Sequence, residues 1–176
     1  MFFQKMKSLK IISLLFLIIG FCPNENLVKA GTANPKSYKV LSSNNKNLSV
    51  ANVKYYLKEG DEFVKNGAFD EAKDSYLNAR KLAKQLAAFY SDLNSSFKGI
   101  DARIPKEMQR KGKATLQILA ETNGRLASLY LKTEKPEVAV PLLVETIRIM
   151  SPKSREGKEA YERLIQLGFV ETKYKG

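Results

Sequence analysis

The sequence predicts an all-α protein of about five helices, arranged as antiparallel helical hairpins with an elongated middle hairpin. Three observations lead there. From about Leu48 onward, apolar residues recur at steps of three and four, the period of one helix face. No later stretch alternates apolar and polar residues long enough to make a strand. The periodic runs are separated by Asn66-Gly67, Gly99 and Ser151-Pro152, residue types that stop helices.

The first helix is expected over about Ser49 to Asn66, ending where Gly67 supplies a left-handed backbone. The second begins near Phe69-Asp70-Glu71, whose acids suit the positive end of the helix dipole. Its apolar stripe runs through Ala72, Tyr76, Ala79, Leu82, Leu86, Phe89, Leu93 and Phe97, and nothing breaks it before Gly99. Pro105 suits the first turn of a third helix, which carries Met108, Leu116, Leu119, Leu126 and Tyr130 toward Lys132. Gly112 and Gly124 each weaken that helix by about 1 kcal/mol relative to Ala and invite a kink. Glu134 to Met150 reads as a fourth helix burying Val138, Leu142, Leu143, Ile147 and either Ile149 or Met150. Lys153 to Leu167 reads as a fifth, amphipathic through Ala160, Tyr161, Leu164, Ile165 and Leu167.

The N-terminus has another character. Lys5, Lys7 and Lys10 precede the apolar run Ile11 to Phe21, and Val28-Lys29-Ala30 follows, the order of a secretory signal peptide over residues 1–30. The run is too short for a spanning helix, which needs about 20 residues. Cleavage after Ala30 is expected, with a retained anchor as the alternative. Acylation at Cys22 is the weaker option, because Phe21 occupies a place where such a signal wants a small residue. Residues 31–48 are polar and read as a disordered leader, 49–170 as the helical domain and 171–176 as a flexible tail.

Removing residues 1–30 takes away four of the 30 Lys and Arg and one of the 18 Asp and Glu. The remainder carries 26 basic against 17 acidic groups, a net charge of +9. Cys22 is the sole cysteine and leaves with that segment, so the exported part has no disulfide and must stand on its core. The chain has no His. Ser-His-Asp and Cys-His catalysis, zinc sites of the usual ligands and imidazole bases are thereby excluded from the exported part. No Gly-rich phosphate loop occurs among the ten Gly. No cofactor is expected. Carboxylates, Lys, Tyr and hydroxyls remain for chemistry, and an enzyme built on Asp61, Glu107 and Glu121 is the least favoured alternative, since no spacing selects those acids.

The stretch Tyr56-x-x-x-Gly60-x-x-Phe63, followed by Gly67-x-Phe69-Asp70-Glu71-Ala72-x-x-x-Tyr76-x-x-Ala79, resembles one unit of the tetratricopeptide repeat (TPR) family, over about residues 54–84. Packing explains the pattern: Gly60 and Ala72 let two helices approach while Tyr56, Phe63 and Tyr76 fill the space around them. Glu59 departs from it, placing a carboxylate where an apolar residue is usual, which suggests a solvent- or partner-facing surface. A second, eroded match covers about 123–152, with Leu126-Ala127-x-x-Tyr130, Ala139-x-x-x-Leu143 and a late Pro152; Asn123 stands in place of an aromatic and Thr146 in place of an alanine. Residues 85–122 read as a long hairpin between the two units, with a degenerate repeat beginning near Phe89 and Leu93 as the other description.

The resemblance implies a protein-binding adaptor, scaffold or assembly factor that binds in the groove formed by the first helix of each unit. By position that groove would be lined by Lys54, Leu57, Asp61, Val64, Lys65, Glu121, Ser128, Leu131 and Lys132. Leu57 and Asp61 replace the Lys and Asn that clamp a C-terminal carboxylate in one well-known subset of the family, so that activity is not expected here. A basic patch of Lys98, Arg103, Lys106, Arg110, Lys111 and Lys113 sits near the turn between the long helices and would suit an acidic protein or an anionic membrane surface. Nucleic acid is not expected, because export removes the chain from it. The expected setting is the periplasm or a thylakoid lumen, next to a membrane or photosynthetic complex. Self-association of a purely structural module, giving a homo-oligomer, is the alternative. Tyr55, Tyr90 and Phe169 are the aromatics expected to be exposed.

Overall fold

The computed structural model describes residues 48–175; the expected signal segment and the leader up to residue 47 lie outside them, as does Gly176. The described chain is all-α, with no strand among the described residues. It consists of α1 (Val50–Lys65), α2 (Phe69–Ser96), α3 (Arg103–Lys132), α4 (Pro136–Met150) and α5 (Arg155–Gln166). None of these helices is long and apolar enough to cross a membrane.

Local chemistry explains the boundaries. Ser49 caps α1 by accepting the Asn52 N–H at 3.2 Å, and Ser154 caps α5 by accepting the Gly157 N–H at 2.9 Å. Helices α1, α3 and α5 end alike, in Schellman turns. Gly67 at φ +75 donates to the Val64 carbonyl while Ala68 donates to Phe63; Gly168 and Phe169 repeat this on Ile165 and Leu164. In α3 the left-handed position falls to Glu134, at φ 58, with Lys135 donating to Tyr130 at 2.8 Å. The left-handed conformation costs a residue with a Cβ roughly 1–2 kcal/mol. Because Glu134 is committed to that turn, α4 starts at Pro136 and not at Glu134. At the other end α3 begins ahead of Pro105, because the Asp101 carboxylate accepts the Arg103 N–H at 2.9 Å.

Small residues set against large ones build the core. Ala72, Ala79 and Ala83 of α2 have no exposed surface, and they alternate with Tyr76, Leu86 and Tyr90. A Cβ on Gly60 would lie 2.5 Å from the Tyr76 ring, so α1 and α2 meet this closely only because that position is glycine. Glu59 is half-buried: it accepts the Ser75 hydroxyl of α2 at 2.8 Å and the hydroxyl of the exposed Tyr55 on its own helix at 3.0 Å. In α4 the buried set is Ala139, Leu142, Leu143 and Thr146; Val138, expected inside, is exposed.

Pairings across the helices define the topology. Tyr90 packs on Gly112 and Arg80 bonds Asn123, so α2 and α3 run antiparallel. Gln117 meets Glu156, and both Gly124 and Ser128 meet Arg163, so α3 and α5 run parallel; Asp61 meets Arg125, bringing α1 beside α3. The first helix of each successive hairpin therefore faces one side of the molecule. Residues 85–122 belong to one long hairpin: α2 has 28 residues and α3 has 30, against 16, 15 and 12 for α1, α4 and α5. Gly112 and Gly124 both lie inside the single helix α3. Residues 171–175, expected as a flexible tail, return to α5, where Tyr161 donates to the Thr172 carbonyl at 2.7 Å and meets the Tyr174 ring edge-on.

Candidate functional site: the inner groove of α1, α3 and α5

Helix α3 forms the floor of the groove. Gln117, Glu121, Gly124, Arg125, Ser128 and Lys132 follow one another at helical spacings and so share one face. Val64 of α1 and Tyr76 of α2 close one side, and Arg155, Glu156, Glu159 and Arg163 of α5 close the other, around a cavity of about 390 Å³. That volume falls within the range of ligand sites. Gly124 keeps the floor low, since a Cβ built there meets nothing within 4 Å.

Charge in the groove is mixed, and most of it is paired. The Asp61 carboxylate accepts the Tyr76 hydroxyl at 2.6 Å and Arg125 Nε at 2.9 Å, while Arg125 Nη1 donates to Glu121 at 2.7 Å. Burial, and then the Asp61 bond, push the Tyr76 hydroxyl well above its ordinary value, so it stays a donor. Arg155 pairs with Glu156 at 3.1 Å. Arg163 differs: its Nη1 bonds the Ser128 hydroxyl at 2.8 Å and the Gly124 carbonyl at 3.3 Å, with no carboxylate on it among the described residues. The Lys132 ammonium lies 4.8 Å from the centre of the Phe69 ring.

A second polar cluster supports the floor from behind. Asn123, fully buried, accepts Arg80 Nε at 2.8 Å and donates to Glu145 at 2.9 Å. Glu145 also takes Arg80 Nη2 and Lys84 Nζ, each at 2.6 Å. Burial alone would raise the Glu145 pKa, but the bonds from Lys84, Arg80 and Asn123 outweigh it and hold the carboxyl at about 2. Asn123 thus ties α2, α3 and α4 together through hydrogen bonds. Thr146 is buried with its hydroxyl on the Leu142 carbonyl at 3.0 Å.

Of the groove residues expected from sequence, Val64, Glu121, Ser128 and Lys132 line the cavity, and Asp61 borders it through Arg125. Lys54 and Lys65 are exposed on α1, the latter paired with Glu62 at 2.9 Å, and Leu131 is half-buried against the core. Leu57 is corrected: it is buried with Val53 and Gly60, because those three positions face α2. Sequence reasoning missed Gln117, Gly124, Arg125 and the wall from α5. The α3 members were legible as the stripe through Glu121 and Ser128. The α5 members were not, because the sequence marks α5 only as an end helix.

Among the acids considered for catalysis, Asp61 and Glu121 meet on Arg125, whereas Glu107 is held by Lys111 at 2.6 Å near the other end of α3. Among the described residues no group of three or more His, Cys, Asp or Glu is placed to hold a metal ion. The basic residues lie on α3 more than in the turn: only Lys98 precedes the helix, and Arg103, Lys106, Arg110 and Lys113 share one face. Of the aromatics expected outside, Tyr55 and Phe169 are exposed, while Tyr90 is buried, with its Cβ beside Gly112 of α3. No family model, curated protein or solved structure matches this chain.

Proposed function

We propose that the chain is a non-catalytic, exported TPR-like adaptor or assembly factor that seats a segment of a partner protein in the groove of α1, α3 and α5. One observation carries this reading: three helices of successive hairpins present a single cavity of about 390 Å³ whose floor is kept open by Gly124. Arg163 offers the anchor, a guanidinium held in place by Ser128 and Gly124 and free to take a carboxylate from the incoming segment. The paired charges around it fix the walls. The signal-like N-terminus supports a periplasmic or luminal setting beside a membrane complex.

The test is recovery of partners from crosslinked cells with the wild-type chain, Gly124→Leu and Arg163→Glu. Gly124→Leu fills open space without touching the core, so it should fold normally and lose the protein that the wild type retains. Recovery of no protein by the wild type, under conditions that preserve known complexes, overturns the reading. Equal recovery by all three chains removes the groove as the binding site, and recovery of only a second copy of this chain replaces the adaptor with a self-associating module.

A further inference from the structure

The long hairpin reaches past its neighbours. Gly60 faces Tyr76, so the start of α1 extends only to about residue 86 of the antiparallel α2, and about ten residues, ~15 Å, of α2 continue beyond it. Glu156 faces Gln117 and Glu145 faces Asn123, so α5 and α4 likewise end short of the first three turns of α3. Two features coincide on this projecting end. Arg103, Lys106, Arg110 and Lys113, at steps of three, four and three, form a cationic stripe along α3, with the Glu107 carboxylate beside it. At the tip, Ile100 is 77 % exposed, the most exposed large apolar side chain among the described residues.

The acids nearby are already occupied. Asp101 is bound by Arg103 at 2.7 Å and Glu107 by Lys111 at 2.6 Å. Lys98, Lys106, Arg110 and Lys113 make no ion pair among the described residues, so their charge is directed outward. We propose that the end of the α2–α3 hairpin docks on an anionic lipid surface, the stripe lying against the headgroups and Ile100 entering the boundary beneath them. Straight rows of cations beside an isolated apolar tip match a charged plane over an apolar layer. A protein partner would instead meet a buried apolar centre with a polar rim. This surface is separate from the inner groove, and either can fail without the other.

The chain has no Trp, so Ile100→Trp in the full-length protein introduces a single local reporter, and Phe169→Trp is its control at the far end. With vesicles of phosphatidylglycerol and phosphatidylcholine, emission from the Ile100→Trp indole should shift to the blue and be quenched by brominated lipid. Neutral phosphatidylcholine and about 0.5 M salt should abolish the shift, and the Phe169→Trp indole should not respond. On the Ile100→Trp background, charge removal at Lys106, Arg110 and Lys113, singly to Gln and then all three to Gln, should weaken binding roughly fivefold per charge. The single changes keep the test open if the triple variant does not fold. Unchanged emission from the Ile100→Trp chain, an equal shift on neutral vesicles, or indifference to the charge changes each overturns the proposal. A shift with polyglutamate but none with vesicles overturns it in favour of an acidic protein.

Discussion

Within α3, the stretch Leu116 to Lys132 is set among α1, α2, α4 and α5, whereas Arg103 to Lys113 leans on α2. Both stretches are amphipathic and each holds one glycine. In the crowded stretch polar side chains are drawn inside and satisfied, as Asn123 is by Arg80 and Glu145. In the projecting stretch one stripe, with Met108 buried, meets α2 and the charges stay in water. The glycines divide in the same way: Gly112 lies against Tyr90, and Gly124 borders open space. The number of neighbouring helices, more than composition, decides whether a polar residue here is drawn inside or left in water.

The sharpest break in this comparison should come at Glu145. Glu145→Ala leaves Arg80 and Lys84 facing each other around a half-buried space and strips a partner from Asn123, a loss of about 3 kcal/mol in urea unfolding. Acid should reproduce part of it. Folding lowers the Glu145 pKa from 4.5 to about 2, so its stabilisation is present above pH 4.5 and drains away as pH falls through 2. The expected loss is on the order of 2 kcal/mol, allowing for the partial exposure of Lys84. A Glu145→Gln chain should lack this step in its pH profile; an unchanged acid limb would remove the carboxylate from the account.

Leucine scanned into the two glycines should act in opposite directions. Gly112→Leu places a branched side chain beside Tyr90, whose Cβ would lie 3.6 Å from the added Cβ, and should cost about 1–3 kcal/mol. Gly124→Leu meets open space and gains helix propensity, raising stability by about 1 kcal/mol. Destabilisation by Gly124→Leu in a thermal melt would mean that the cavity closes in solution. Smallest of all, replacing Lys106, Arg110 and Lys113 by Ala should move the unfolding midpoint by no more than about 0.5 kcal/mol, because these groups form no ion pair among the described residues. A larger loss would show that the stripe stabilises the hairpin.

Much of the fold was legible because helix ends are written locally. Ser49, Asn66-Gly67 and Ser151-Pro152 act within a few residues of themselves, and the alternation of Gly60, Ala72 and Ala79 with Tyr76 already describes two helices in close approach. The errors are of another kind. Leu57 falls in the groove only by analogy, although it continues the Val53 stripe toward α2, and Tyr90 looks external in sequence because its neighbour Gly112 lies on another helix.

By itself the sequence determined an all-α chain of about five helices, their approximate ends and the side of α3 that carries Glu121 and Ser128. Those properties depend on period and capping, which act over one or two turns. Only the tertiary structure decided that α5 supplies the second wall of the groove, that Asn123 joins Arg80 to Glu145, and that the basic residues become a stripe on a projecting end. Each depends on which helices stop short of which others, and on contacts between residues 39, 43 or 65 positions apart. No local pattern encodes such meetings, because the residues involved are brought together by packing alone.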